Sequence, residues 1–104
     1  MNSEQAADSL EALGNATRLE VFRLLVQVGE QGAPVGDIQR ALKIPPSTLS
    51  HHIARLMRVD LVTQQRQSRV LICRANYDTM NELLGFLTDN CCGGISLPRQ
   101  PVVA

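Results

Sequence analysis

The chain has 104 residues, enough for one domain with its own core; it is 44% apolar but only 3% aromatic and has no tryptophan. A core of Leu, Ile, Val, Ala and Met suits packed helices, and no run approaches the roughly 18 apolar residues that would span a bilayer. The net charge of zero hides an asymmetry: residues 1–37 carry two arginines against six acids, residues 38–76 seven basic side chains against Asp60 alone, and residues 77–104 Arg99 against three acids. A basic middle between acidic ends is the footprint of a phosphate-binding surface.

In chain order, MNSEQAADSLEALG has no basic region followed by an apolar run, so it does not read as a signal peptide, and the chain is expected to be cytoplasmic. Ser3 is placed to cap a helix through Leu13, with Ala6, Leu10 and Leu13 at helical spacing and Gly14 ending it. Asn15 caps the next helix, ATRLEVFRLLVQV, whose apolar residues nearly encircle it and mark it as the buried centre. Gly29, Gly32 and Pro34 signal a loop. VGDIQRALK then forms a short helix with Ile38, Ala41 and Leu42 inward.

The next segment, IPPSTLSHHIARLMRVDLV, puts Pro46 at a first helical position, where a missing N–H costs nothing. Leu49, Ile53, Leu56 and Met57 make one apolar stripe, and the opposite face shows Ser47, Ser50, His51 and Arg55, with Thr48 beside them. VTQQRQSRVLICR has two β-rich runs around a polar centre and predicts a hairpin with Gln67 and Ser68 near its tip. Residues 77–90 predict a last helix, in which Tyr77, Met80, Leu84 and Leu87 form a heptad seam whose next position is Cys91. Leu83 and Phe86 add a second apolar flank, so this helix has one side for its own domain and one for a partner. The expected organisation is a domain over residues 1–92 and a flexible tail over 93–104.

Two helices joined by a short turn, the second polar on one face and followed by a basic hairpin, have the layout of a winged helix-turn-helix. ALGNATRLEVFRLL, then STLSHHIARLMRVDLV, then TQQRQSRVLIC resembles the ArsR/SmtB family of metal-responsive bacterial repressors over roughly residues 6 to 92. The resemblance implies a mainly α fold with a small β-hairpin wing. It also implies a homodimer joined through its first and last helices, which sits on palindromic operator DNA and leaves when an inducer binds. Ser47, Thr48, Ser50 and His51 lead the helix expected in the major groove, with Arg55 on the same face. Arg66 and Arg69 flank the wing tip as candidate phosphate contacts, with Gln67 reaching toward the minor groove.

The departures from the family pattern are informative. Pro45 stands where Ser or Asp would cap the recognition helix, a loss worth about 1 kcal/mol. The C-V-C arsenite site of many members falls on Pro34, Val35 and Gly36. The zinc site of other members needs histidines in the last helix, which has Asp78 but none, so no zinc site is evident.

The remaining ligand candidates are Cys73, Cys91 and Cys92. An odd count in a reducing compartment argues against a structural disulfide, and Cys73 alone is equally readable as a small buried hydrophobe. A last helix closed by -NCC- resembles the members that sense trivalent arsenic. Soft thiolates select thiophilic ions: As(III) or Sb(III) offers three positions to thiolates, methyl-As(III) two. A helix from residue 77 to 91 rises roughly 20 Å, so Cys73 and Cys91 of one chain should lie far apart. Antiparallel pairing of last helices would bring Cys91 of one subunit toward the partner's Cys73. A two-thiol site is favoured, since adjacent cysteines diverge on a helix, with Cys92 a third ligand or a bystander.

A thiol redox repressor is the main rival, and a helix C-terminus beside Asp89 disfavours the thiolate it needs. A winged helix serving only protein contacts is the alternative from another class, opposed by the basic middle. An enzyme is the poorest fit, because adjacent His51 and His52 point about 100° apart on a helix with no triad or metal partner.

Overall fold

The computed structural model describes residues 1–98. Its elements run α1 (Ser3–Leu13), α2 (Ala16–Val28), β1 (Ala33–Pro34), α3 (Val35–Leu42), α4 (Pro46–Arg58), β2 (Val62–Gln67), β3 (Val70–Ala75) and α5 (Tyr77–Thr88). The mainly α fold with a hairpin wing is the one the sequence predicts.

Local chemistry sets most of these limits. Asn15 caps α2 by accepting from the Arg18 N–H, and Arg18 Nε donates to Ala12 O at 2.6 Å, fixing the corner between α1 and α2. At the start of α1 the cap is Asn2, not Ser3: its side chain accepts from Gln5 N while Gln5 Oε1 accepts from Asn2 N, a reciprocal capping box. The inward residues of α1 are Ala6, Ser9 and Ala12, whereas Leu10 is 43% exposed. A face of small residues lets α1 lie close to its neighbours and turns the larger Leu10 side chain outward. Ala41 likewise lies on the exposed side of α3, leaving Ile38 as its buried anchor.

Val21, Phe22 and Leu25 of α2 meet Ile38, Leu49, Ile53, Leu56 and Leu61 in one core. The α2 helix is central as predicted, although Leu19 remains exposed. Tyr77 ties α5 to that core, its hydroxyl reaching Leu25 O at 3.3 Å and Val26 O at 3.1 Å. Asn76 caps α5 by accepting from Thr79 N.

The stretch read as a loop around Pro34 contributes a short strand. The sheet order is β1-β3-β2, all antiparallel, with Ala33 opposite Cys73 on one side of β3 and Gln64 opposite Cys73 on the other. Gly32 makes this possible. It sits at φ +70°, and a Cβ there would lie 2.4 Å from Cys73 O. The hairpin turn is Ser68-Arg69, one residue beyond the expected tip, with Ser68 at φ 57°.

The last helix stops at Thr88, two residues earlier than predicted. Thr88 Oγ1 bonds back to Leu84 O, and Asp89 N and Cys91 N reach Phe86 O and Thr88 O in tight three-residue steps. The seam residues Leu84 and Leu87 are 53% and 55% exposed, while Leu83 is buried against the domain. Residues 93–98 have no regular structure, and the rest of the expected tail, 99–104, lies outside the described residues.

Candidate nucleic-acid interface and thiol sites

Packing decides which face α4 presents. Leu49, Ile53 and Leu56 are buried at 0%, 2% and 0% exposure, which turns Ser47, Thr48, Ser50 and His51 outward together. Pro45 is the N-cap and offers no side-chain bond, and Pro46 follows at the first helical position. Among the described residues no side chain caps the backbone N–H groups of this first turn, a suitable end to set against phosphate oxygens.

The remaining polar residues of α4 face elsewhere. Arg55, expected among the outward group, is turned to Glu11 of α1 at 3.0 Å, with its side chain only 20% exposed. It joins two helices. His52 lies on the half-buried flank, its Nδ1 screened from solvent and without a hydrogen-bond partner among the described residues. Burial, then the charges of Arg18 and His51, lower its pKa from 6.5.

Beyond α4 the wing projects Arg66, Gln67 and Arg69, all exposed. Sequence reasoning overlooked Arg40 of α3. Its guanidinium pairs with Asp37 and lies over Gly36, and together with Arg66 and Arg69 it lines one open groove of about 660 Å³. The signal for it was present in the charge count of residues 38–76 and in the i, i+3 spacing of Asp37 and Arg40.

The three candidate thiols fall into two settings. Cys73 is fully buried in the central strand, and Gln64 Nε2 donates to its Sγ at 3.4 Å. Burial pushes its pKa up, and the Gln64 bond opposes that only in part, so the thiol stays protonated. Cys91 and Cys92 are exposed and lie past the end of α5, not on its last turn. Asn90 and Cys92 adopt φ of 57° and 60°, and the turn brings the two Sγ atoms to 3.3 Å. The divergence expected of adjacent helical cysteines does not occur, because the helix has ended. Among the described residues, no group of three or more His, Cys, Asp or Glu side chains is arranged within one chain to hold a metal ion. None of the described helices is long and apolar enough to cross a membrane.

A polar recognition helix backed by an apolar stripe, with an arginine-tipped hairpin beside it, defines a winged helix-turn-helix DNA-binding protein. The chain belongs to the helix-turn-helix domain family, whose model matches residues 13–65, half of its length. It is a transcriptional regulator of the ArsR type, not an enzyme. Among curated proteins it is 26% identical over 91 residues to the HTH-type transcriptional regulator YgaV of Escherichia coli K12, covering 88% of this chain and 90% of YgaV. An ArsR-like transcriptional regulator from Rhodococcus sp. RHA1 has the same fold, with a TM-score of 0.73 at 20% identity over 86% of this chain and 82% of that one. The homodimeric winged helix-turn-helix domain of Mb0332 from Mycobacterium bovis, a possible ArsR-family regulator, gives 0.67 at 27% identity, with 84% and 81% coverage. A possible transcriptional regulator for arsenical resistance gives 0.67 at 25% identity, with 77% and 80% coverage.

Proposed function

We propose that this chain is a dimeric repressor that holds operator DNA through α4 and the wing and releases it when a trivalent arsenical binds its cysteines. One observation carries the DNA half: Ser47, Thr48, Ser50 and His51 stand together on the exposed face of α4, next to a wing tipped by Arg66 and Arg69. Hydroxyl and imidazole groups read base edges, while the arginines hold phosphates and set the register. Replacing Ser50 and His51 by Ala should remove operator preference while leaving residual affinity for any duplex, measured by anisotropy against operator and scrambled DNA. Unchanged operator preference in a folded double variant would refute it.

The inducer half rests on the exposed Cys91–Cys92 pair at 3.3 Å. Two adjacent soft donors suit methyl-As(III), which has two positions to exchange; the bound metalloid displaces the thiol protons itself. Inorganic As(III) or Sb(III) requires a third thiolate, and Cys73 would have to leave the core to supply it. The resemblance to a possible regulator for arsenical resistance supports the same reading. Binding lowers DNA affinity only insofar as the metalloid prefers the DNA-incompetent arrangement of the dimer. Release by peroxide, with no response to any trivalent arsenical, would replace this reading by the redox one.

A further inference from the structure

The groove between α3 and the wing has a feature that the recognition helix does not explain. Arg40, Arg66 and Arg69 converge on it from two separate elements, and Pro34, Val70 and Leu71 form part of its walls. Such a concave cluster of guanidinium groups against low-dielectric walls concentrates positive potential. Yet one of the three cations is already engaged. Asp37 pairs with Arg40 at i, i+3, although both side chains are largely exposed, at 56% and 74%. Arg66 and Arg69 have no ion pair among the described residues.

We propose that this groove is a phosphate site for the DNA backbone, in which Arg40 is the third cationic contact and Asp37 a built-in competitor that the phosphate displaces. The proposal rests on the DNA-binding reading above. An exposed carboxylate pair is weak and exchanges easily, whereas a guanidinium binds a phosphodiester through two parallel hydrogen bonds. On docking, Arg40 leaves Asp37 for a backbone oxygen between α3 and the wing. Asp37 then stands as an unpaired anion near the phosphate and reduces affinity for every sequence alike. The pair therefore sets how long the protein stays on non-operator DNA, without reading any base.

The test measures affinity of the full chain for a non-operator duplex as a function of salt. Arg40→Ala should lower the salt slope by about one unit per subunit, and Arg40→Lys should largely restore it. Asp37→Asn should raise affinity by about two- to fivefold per subunit, and most of that gain should vanish in the Arg40→Ala background. Inorganic phosphate at matched ionic strength separates a free anion from a backbone phosphate. The Arg40 side-chain NMR signal should shift with duplex at concentrations where phosphate leaves it unmoved. A parental salt slope in Arg40→Ala, alongside a reduced slope in an Arg66→Ala, Arg69→Ala variant, would overturn the proposal and leave the DNA-binding reading standing. Parental slopes in both variants would overturn the two together. An equal gain from Asp37→Asn with and without Arg40, or a shift with phosphate at duplex concentrations, would also overturn it.

Discussion

The exposed face of α5 gives a quantitative handle on the proposed dimer. Leu84 and Leu87 are 53% and 55% exposed in the single chain, one helical turn apart, while Leu83 behind them is buried. Fully burying a leucine side chain is worth about 1.5–3 kcal/mol, so covering the exposed half of each contributes about 1 kcal/mol. A two-fold interface doubles every change, and two leucines on each of two subunits amount to about 4 kcal/mol. The Leu84→Ala, Leu87→Ala variant should therefore dimerise about a thousandfold more weakly, measured by sedimentation equilibrium. Its protomer should keep its helical signal, because neither side chain belongs to the core. Operator affinity should fall with it, since two half-sites are no longer held at one spacing. A dimer constant within about tenfold of the parent's would show that α5 does not form the interface.

The other predictions concern the protomer. Gly32→Ala should destabilise the fold by about 2–4 kcal/mol in urea titrations, combining strain at φ +70° with a backbone overlap at Cys73 O; a loss below about 1 kcal/mol would contradict the close β1–β3 approach. Under native conditions a thiol reagent should modify two cysteines rapidly and the third only on unfolding; a Cys73→Ser variant with a smaller fast amplitude would place the slow thiol elsewhere. The depressed pKa of His52 means that the folded chain binds fewer protons than the unfolded one as pH falls past 6.5. Stability should thus be full above that value and decline below it, and His52→Gln should flatten the decline seen in urea midpoints.

Signals local to the chain were the legible ones. Asn15 before ATRLEVFRLL and Pro46 before the Leu49, Ile53 and Leu56 stripe fix the positions of α2 and α4, and the stripe also fixes which polar residues face outward. What depended on distant partners was less accessible. The β1 strand exists because Ala33 and Pro34 meet Cys73 and Ile72, a pairing across some forty residues that two residues cannot announce. Arg55 matched the outward pattern of α4, but Glu11 of α1 lies within its reach, and only the helix packing reveals that. The heptad rhythm extended naturally to Cys91, yet the chain leaves the helix at Thr88 through a side-chain bond to Leu84 O and positive φ at Asn90. That early ending turns two diverging cysteines into a thiol pair. Arg40 entered the sequence reading only through the charge count of residues 38–76, and its place beside Arg66 and Arg69 depends on the wing packing near α3.

The central claim is that an arsenical bound at the helix-end pair releases DNA. The most direct measurement is anisotropy of labelled upstream operator DNA, with methyl-As(III) titrated against the parent and single Cys→Ser variants. The account predicts that the parent and Cys73→Ser dissociate together, while Cys91→Ser and Cys92→Ser bind the operator normally and stay bound as the arsenical is added. A Cys91→Ser, Cys92→Ser double variant that still leaves the operator at the parental methyl-As(III) concentration would contradict it.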